Sequence, residues 1–134
     1  MVLALSLLLV LQTPPLPGAS ASDADALYAR AVALAGEGEI EQAAGLLERA
    51  AAIDEALGEG RTRELARTRA VLGECHSALG RTDAAIADVA SAVELWRARG
   101  AHAETVGALD LLGRVEFAHG RLEPARRVPA GRAA

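Results

Sequence analysis

Residues 72–92 read LGECHSALGRTDAAIADVASA and contain the pattern from which the fold is predicted. Leu72 and Gly73 are followed by a second glycine at Gly80, and beyond it Ala85 and Ala92 lie seven residues apart. A spacing of seven is two helical turns, so these alanines share one face of a helix. Gly80 can adopt the left-handed conformation that ends a helix. Gly73 inside a helix costs about 1 kcal/mol relative to alanine, which indicates a second helix packed too closely for a side chain.

The same pattern recurs along the chain. The turn glycines Gly38, Gly80 and Gly120 lie 42 and 40 residues apart. A leucine–glycine pair also precedes Gly120, at Leu112-Gly113. Each turn glycine is followed five residues later by an alanine, at Ala43, Ala85 and Ala125. Self-similarity at such a period predicts stacked repeats, each of them a helical hairpin.

These residues resemble the tetratricopeptide repeat family, whose unit has Leu-Gly in its first helix, a glycine at the turn, and two alanines seven apart in its second helix. The first unit here fits less fully, with Gly38, Ala43, Leu47 and Ala50 in place and Ala31 where a glycine would stand. The 40- to 42-residue period resembles the longer variety of kinesin light chains and of bacterial regulators and Ser/Thr kinases.

The resemblance covers about Ala24 to Arg127. It implies an all-α fold, a right-handed α-solenoid of antiparallel helical hairpins with two full repeats and a truncated third. Helices are expected over about residues 23–36, 39–57, 62–79, 82–99 and 102–119, with a sixth from about Leu122 that Pro129 ends. Ser22 or Asp23 is the expected first cap. The repeat domain is assigned to residues 22–128 and a disordered tail to 129–134.

Residues 1–21 are predicted to be a signal peptide or apolar leader. Val2–Leu11 is apolar except for Ser6, which is too short to span a bilayer. Prolines and the small residues Ala19–Ala21 follow, as at a cleavage region, although no lysine or arginine precedes the apolar run. The chain is therefore expected to be exported, periplasmic or extracellular. Membrane anchoring, or a cytoplasmic protein with a misplaced start, stay open as alternatives.

Composition and charge argue against several functions. The net charge is −4, all 14 basic residues are arginine, and no basic stripe suited to nucleic acid is present. Cys75 lies on the apolar side of its helix and is interpreted as a buried hydrophobe. Its neighbour His76 points about 100° away, which does not suit a shared metal ion. We expect no catalytic residue, cofactor or metal, so the chain is predicted not to be an enzyme.

The family resemblance implies a concave surface lined by first-helix residues that binds a protein or peptide. Carried onto this sequence, the surface comprises Asp25, Tyr28, Val32, Arg67, Ala70, Glu74, Ser77, Asp110, Arg114 and Phe117. The aromatic that the family often has in mid-helix is replaced here by Leu34, His76 and Glu116. Trp96 is interpreted as a packing residue between hairpins.

Two alternatives to a binding scaffold stay open. The chain could be the C-terminal repeat region of a larger bacterial signalling protein, such as a Ser/Thr kinase or transcriptional regulator. It could also be a self-associating structural repeat, for example a homodimer formed through the uncapped C-terminal hairpin. No membrane span is expected beyond the leader.

Overall fold

A computed structural model of the chain describes residues 18–120, and these residues form helices without any strand. The all-α prediction is confirmed. Each helix end lies within two residues of its expected position. The helices are α1 (Ala21–Gly36), α2 (Ile40–Leu57), α3 (Thr62–Ala78), α4 (Thr82–Ala98) and α5 (His102–Ala118), with a short 3-10 turn (Glu59–Arg61) between α2 and α3. Each α-helix packs against its neighbours in sequence. The predicted sixth helix and the tail lie outside the described residues.

The turns after α1 and α3 have the same construction. Gly38 and Gly80 have φ values of +86° and +76°, in the left-handed region that favours glycine. The next amide donates to a carbonyl five residues back, from Glu39 to Leu34 at 2.9 Å and from Arg81 to His76 at 2.8 Å. These bonds define the Schellman ending of a helix, so the predicted role of the turn glycines is confirmed.

The first cap was expected at Ser22 or Asp23, and this expectation is wrong. Ser20 is the cap: its side chain accepts a hydrogen bond from the Asp23 amide, and the Asp23 carboxylate accepts one from the Ser20 amide at 2.7 Å. Such a reciprocal capping box satisfies two amides that the helix itself leaves unpaired. The bond from the Ser20 backbone also lowers the pKa of Asp23 below its ordinary value.

Helices α3 and α4 approach each other most closely at Gly73. A Cβ at this position would overlap Val89 Cγ2 and lie 3.2 Å from the Ala85 carbonyl oxygen. Ala85 and Val89 are fully buried. Gly73 lies before the turn at Gly80, and these two residues lie after it. The two helices therefore run antiparallel. The inference drawn from Gly73 is thus confirmed.

At Gly113, the equivalent position before the turn at Gly120, close packing by a second helix stays a prediction. No atom of these residues lies within 4 Å of a Cβ built there. In the repeat alignment, the helix that would pack on Gly113 starts at Leu122, which lies outside them.

The core is built mainly from alanine, leucine and valine. One cluster joins Ala31, Leu47, Leu72 and Cys75 from the first three helices. Another cluster contains Trp96, which is 8% exposed and packs among alanines of α3, α4 and α5. The interpretations of Trp96 and Cys75 as packing residues are therefore confirmed.

A chain of polar side chains crosses the core from α2 to α4. The buried Asp88 carboxylate accepts a hydrogen bond from His76 Nδ1 at 2.7 Å and lies 3.3 Å from Arg69 Nη1. Arg69 and His76 in turn contact Glu55 and Glu48 of α2, the latter at 3.3 Å from His76 Nε2. Both oxygens of Asp88 are engaged. Directional polar contacts thus join α2, α3 and α4.

Replacing Gly73 tests the close approach of α3 and α4. We expect Gly73→Ala to lower the free energy of unfolding by about 1–3 kcal/mol, because the added methyl group overlaps Val89 Cγ2 and crowds the Ala85 carbonyl oxygen. The matched control is Gly107→Ala, where no atom of the described residues lies within 4 Å of the new Cβ. The free energy of unfolding of this control should rise by up to about 1 kcal/mol, because alanine has a higher helix propensity than glycine. Urea unfolding followed by circular dichroism measures both, and equal stability of the two variants would contradict the account.

Candidate functional site

The predicted surface residues lie on the three odd-numbered helices. Asp25, Tyr28 and Val32 belong to α1, Arg67, Ala70, Glu74 and Ser77 to α3, and Asp110, Arg114 and Phe117 to α5. Seven of these side chains bear a charge or a hydroxyl. Helical spacings of three and four place the members of each group along one face.

Helices α1 and α3 meet through an aromatic–cation contact. The Arg67 guanidinium carbon lies 3.9 Å from the centroid of the Tyr28 ring, which is half-buried beneath it. Such a contact contributes about 0.5–1 kcal/mol at an exposed site. It also fixes the orientation of Tyr28, so that an aromatic edge and a positive charge are presented together.

Asp25 is anchored by an arginine that the sequence interpretation did not include. Arg61 Nη2 donates to Asp25 at 2.5 Å, and Arg61 Nε donates to Asp54 at 2.8 Å. Asp54 is only 2% exposed, and Arg61 is the charged partner that compensates the burial of its carboxylate. The hydrogen bond to Asp25, followed by the interactions with Asp54, raises the pKa of the Arg61 guanidinium above its ordinary value. The 3-10 turn that positions Arg61 has no strong sequence signature.

A depression between α3 and α5 brings together three of the predicted residues. Glu74, Ser77 and Arg114 lie on its rim and walls. Its volume is about 290 Å³ and its apolar lining is Ala78, Leu111 and Val115. An acidic and a basic group thus flank a small apolar floor, an arrangement that can hold a short side chain of either charge.

His119 contacts Ser77 of this depression and was missed as a candidate. Its Nε2 lies 3.2 Å from Ser77 Oγ, and its Nδ1 lies 2.9 Å from Thr82 Oγ1. Because Thr82 begins α4, one imidazole joins the ends of α3 and α5 to the start of α4. The only available signal was the position of His119 next to the turn glycine Gly120, which does not indicate such a contact.

Four predicted residues lie outside the contacts described above. One of them, Ala70, is partly buried and packs against the core clusters that join α3, α4 and α5. Val32 and Phe117 are 44% and 57% exposed and do not line the depression. Asp110 pairs within its own helix, 3.3 Å from Arg114 Nε, with both side chains mostly in solvent. An exposed pair of this kind contributes little to stability, so Arg114 stays available to a partner.

Cys75 is the remaining side chain with reactive chemistry on α3. It is buried, and burial, together with the nearby Glu74 charge, raises the pKa of its thiol. The nucleophilic form is the thiolate, so this environment disfavours reactivity. Among residues 18–120, no cluster of three or more histidine, cysteine or carboxylate side chains suited to a metal ion is found.

Comparison with protein-family models, with curated proteins and with solved structures finds no match to this chain. Over residues 18–120, none of the helices has the length and apolar character needed to cross a bilayer.

Removing Arg61 tests the anchoring of Asp25 and Asp54. We expect Arg61→Ala to lower the free energy of unfolding by about 2–4 kcal/mol, because it leaves the Asp54 carboxylate buried and unpaired. The control Arg97→Ala removes an exposed pair with Glu94 and should change stability by no more than about 0.5 kcal/mol. Chemical denaturation measures both values. A loss in Arg61→Ala no greater than in Arg97→Ala would show that Asp54 does not need this arginine.

Proposed function

We propose that this chain is a non-catalytic, tetratricopeptide-like scaffold that binds a protein or peptide partner on the α1–α3–α5 surface. The observation that carries the proposal is the joining of these helices by their polar side chains. Tyr28 and Arg67 link α1 to α3, and the depression between Glu74 and Arg114 links α3 to α5. Polar groups of three helices are thereby presented side by side.

The chemistry of this surface favours an extended peptide or a partner helix of mixed charge. Arg67 and Arg114 can bind carboxylates, and Glu74 can bind a basic side chain, each at a different place along the surface. Tyr28 supplies a rigid aromatic contact of the kind that often dominates binding energy. The right-handed solenoid belongs to the same proposal, since stacked hairpins place successive first helices on one side.

Export by residues 1–21 is also part of the proposal. Residues 1–17 of the leader lie outside the described residues, but its expected cleavage region, Ala19–Ala21, includes the capping residue Ser20. Cleavage after Ala21 would remove this cap, which typically contributes about 1 kcal/mol. A mature chain that begins at Ser20 or earlier keeps Ser20 as the cap of α1.

Peptides selected from a random library on the full chain test the proposed surface. We expect Arg67→Ala and Arg114→Ala each to weaken binding of the selected peptides about tenfold, which corresponds to about 1.4 kcal/mol. Arg97→Ala is the control, because Arg97 lies on α4 and is also solvent-exposed. Fluorescence anisotropy gives the dissociation constants. Equal affinities in all three variants would contradict the assignment of the surface.

A further inference from the structure

The outer side of α1 and α2 carries an open groove that is separate from the proposed binding surface. Its volume is about 470 Å³, and it is lined by Arg30, Leu34, Gln42, Gly45, Leu46 and Arg49. Leu34 and Leu46 are partly buried in the core beneath, so they form an apolar floor. The two arginines lie on its sides, one on each helix.

Nothing within residues 18–120 accounts for the composition of this groove. No ion pair or hydrogen bond of the described residues engages the Arg30 or Arg49 side chain. A Cβ at Gly45 would meet no described atom within 4 Å, unlike one at Gly73. A mid-helix glycine costs about 1 kcal/mol, so Gly45 carries this cost without an internal packing reason. An external helix could approach α2 closely at that point.

The opposite end of the helical array has a complementary character. On α5, Val106 and Leu109 are 65% and 43% exposed, and a Cβ built at Gly113 on the same face would meet no described atom within 4 Å. Glu116 follows three residues later, at the edge of that face. This end is therefore apolar and acidic, whereas the α1–α2 groove is apolar and basic.

We propose that copies of this chain associate head to tail, with the Val106–Leu109 face of one copy seated in the α1–α2 groove of the next. Arg30 and Arg49 attract Glu116 of the neighbouring copy and orient the contact. Leu34 and Leu46 bury the two exposed apolar side chains. Because the two surfaces differ, the interface is heterologous and can continue from copy to copy.

Two variants of the full chain, each blocked at one end, test this proposal. Arg30→Glu/Arg49→Glu reverses the charge of the groove, and Val106→Glu/Leu109→Glu places charge on the apolar face. All four positions are at least partly exposed, so circular dichroism should show an unchanged helical fold. Sedimentation velocity then compares the wild-type chain, each variant alone, and an equimolar mixture of the variants.

We expect the wild-type sedimenting mass to rise with concentration, and each variant alone to stay monomeric. The mixture should form a one-to-one dimer and nothing larger, because each variant retains the surface that the other has lost. Association of the Arg30→Glu/Arg49→Glu variant by itself would indicate a symmetric contact or association through the leader, and would overturn the proposal. A monomeric wild-type chain, or a mixture that stays monomeric, would also overturn it.

Discussion

The close approach of α3 and α4 at Gly73 is the constraint on which the rest of the structure depends. Without a Cβ at Gly73, Val89 and the Ala85 carbonyl lie directly against the α3 backbone. Asp88, the neighbour of Val89 on α4, lies 2.7 Å from His76 Nδ1 on α3, so a buried hydrogen bond accompanies the same helix contact. On the other side of α3, Glu74 and Ser77 then face α5. One missing methyl group thus sets both the core and the proposed surface.

The buried polar chain through His76 and Asp88 adds directionality to this small-residue packing. Alanine-rich faces allow helices to slide along each other at little cost, since their side chains offer few distinct interlocking positions. Asp88 bonds to both His76 and Arg69, so it selects one register of α4 on α3. Buried charged groups of this kind often contribute more to the choice of a single arrangement than to net stability.

The sequence predicted the helices and their turns well because those features are local. Gly38 and Gly80 end helices through their own backbone conformation. Gly73 indicates a closely packed neighbouring helix because it has no side chain. Ser20 was missed as the first cap because Ser22 and Asp23, two and three residues later, offer the same capping chemistry. Arg61 and His119 could not be predicted as structural partners, since their contacts join residues 36 and 42 positions apart in the chain. Such contacts depend on how whole helices are placed.

Native-state hydrogen exchange tests the central role of the α3–α4 contact most directly. If the approach at Gly73 organises the fold, the amides of Cys75, His76 and Val89 should exchange only through global unfolding. Their protection should then equal the free energy of unfolding measured by denaturant, while amides at the end of α5 exchange through local fraying. Exchange at Cys75 and Val89 as fast as at the end of α5 would contradict the account.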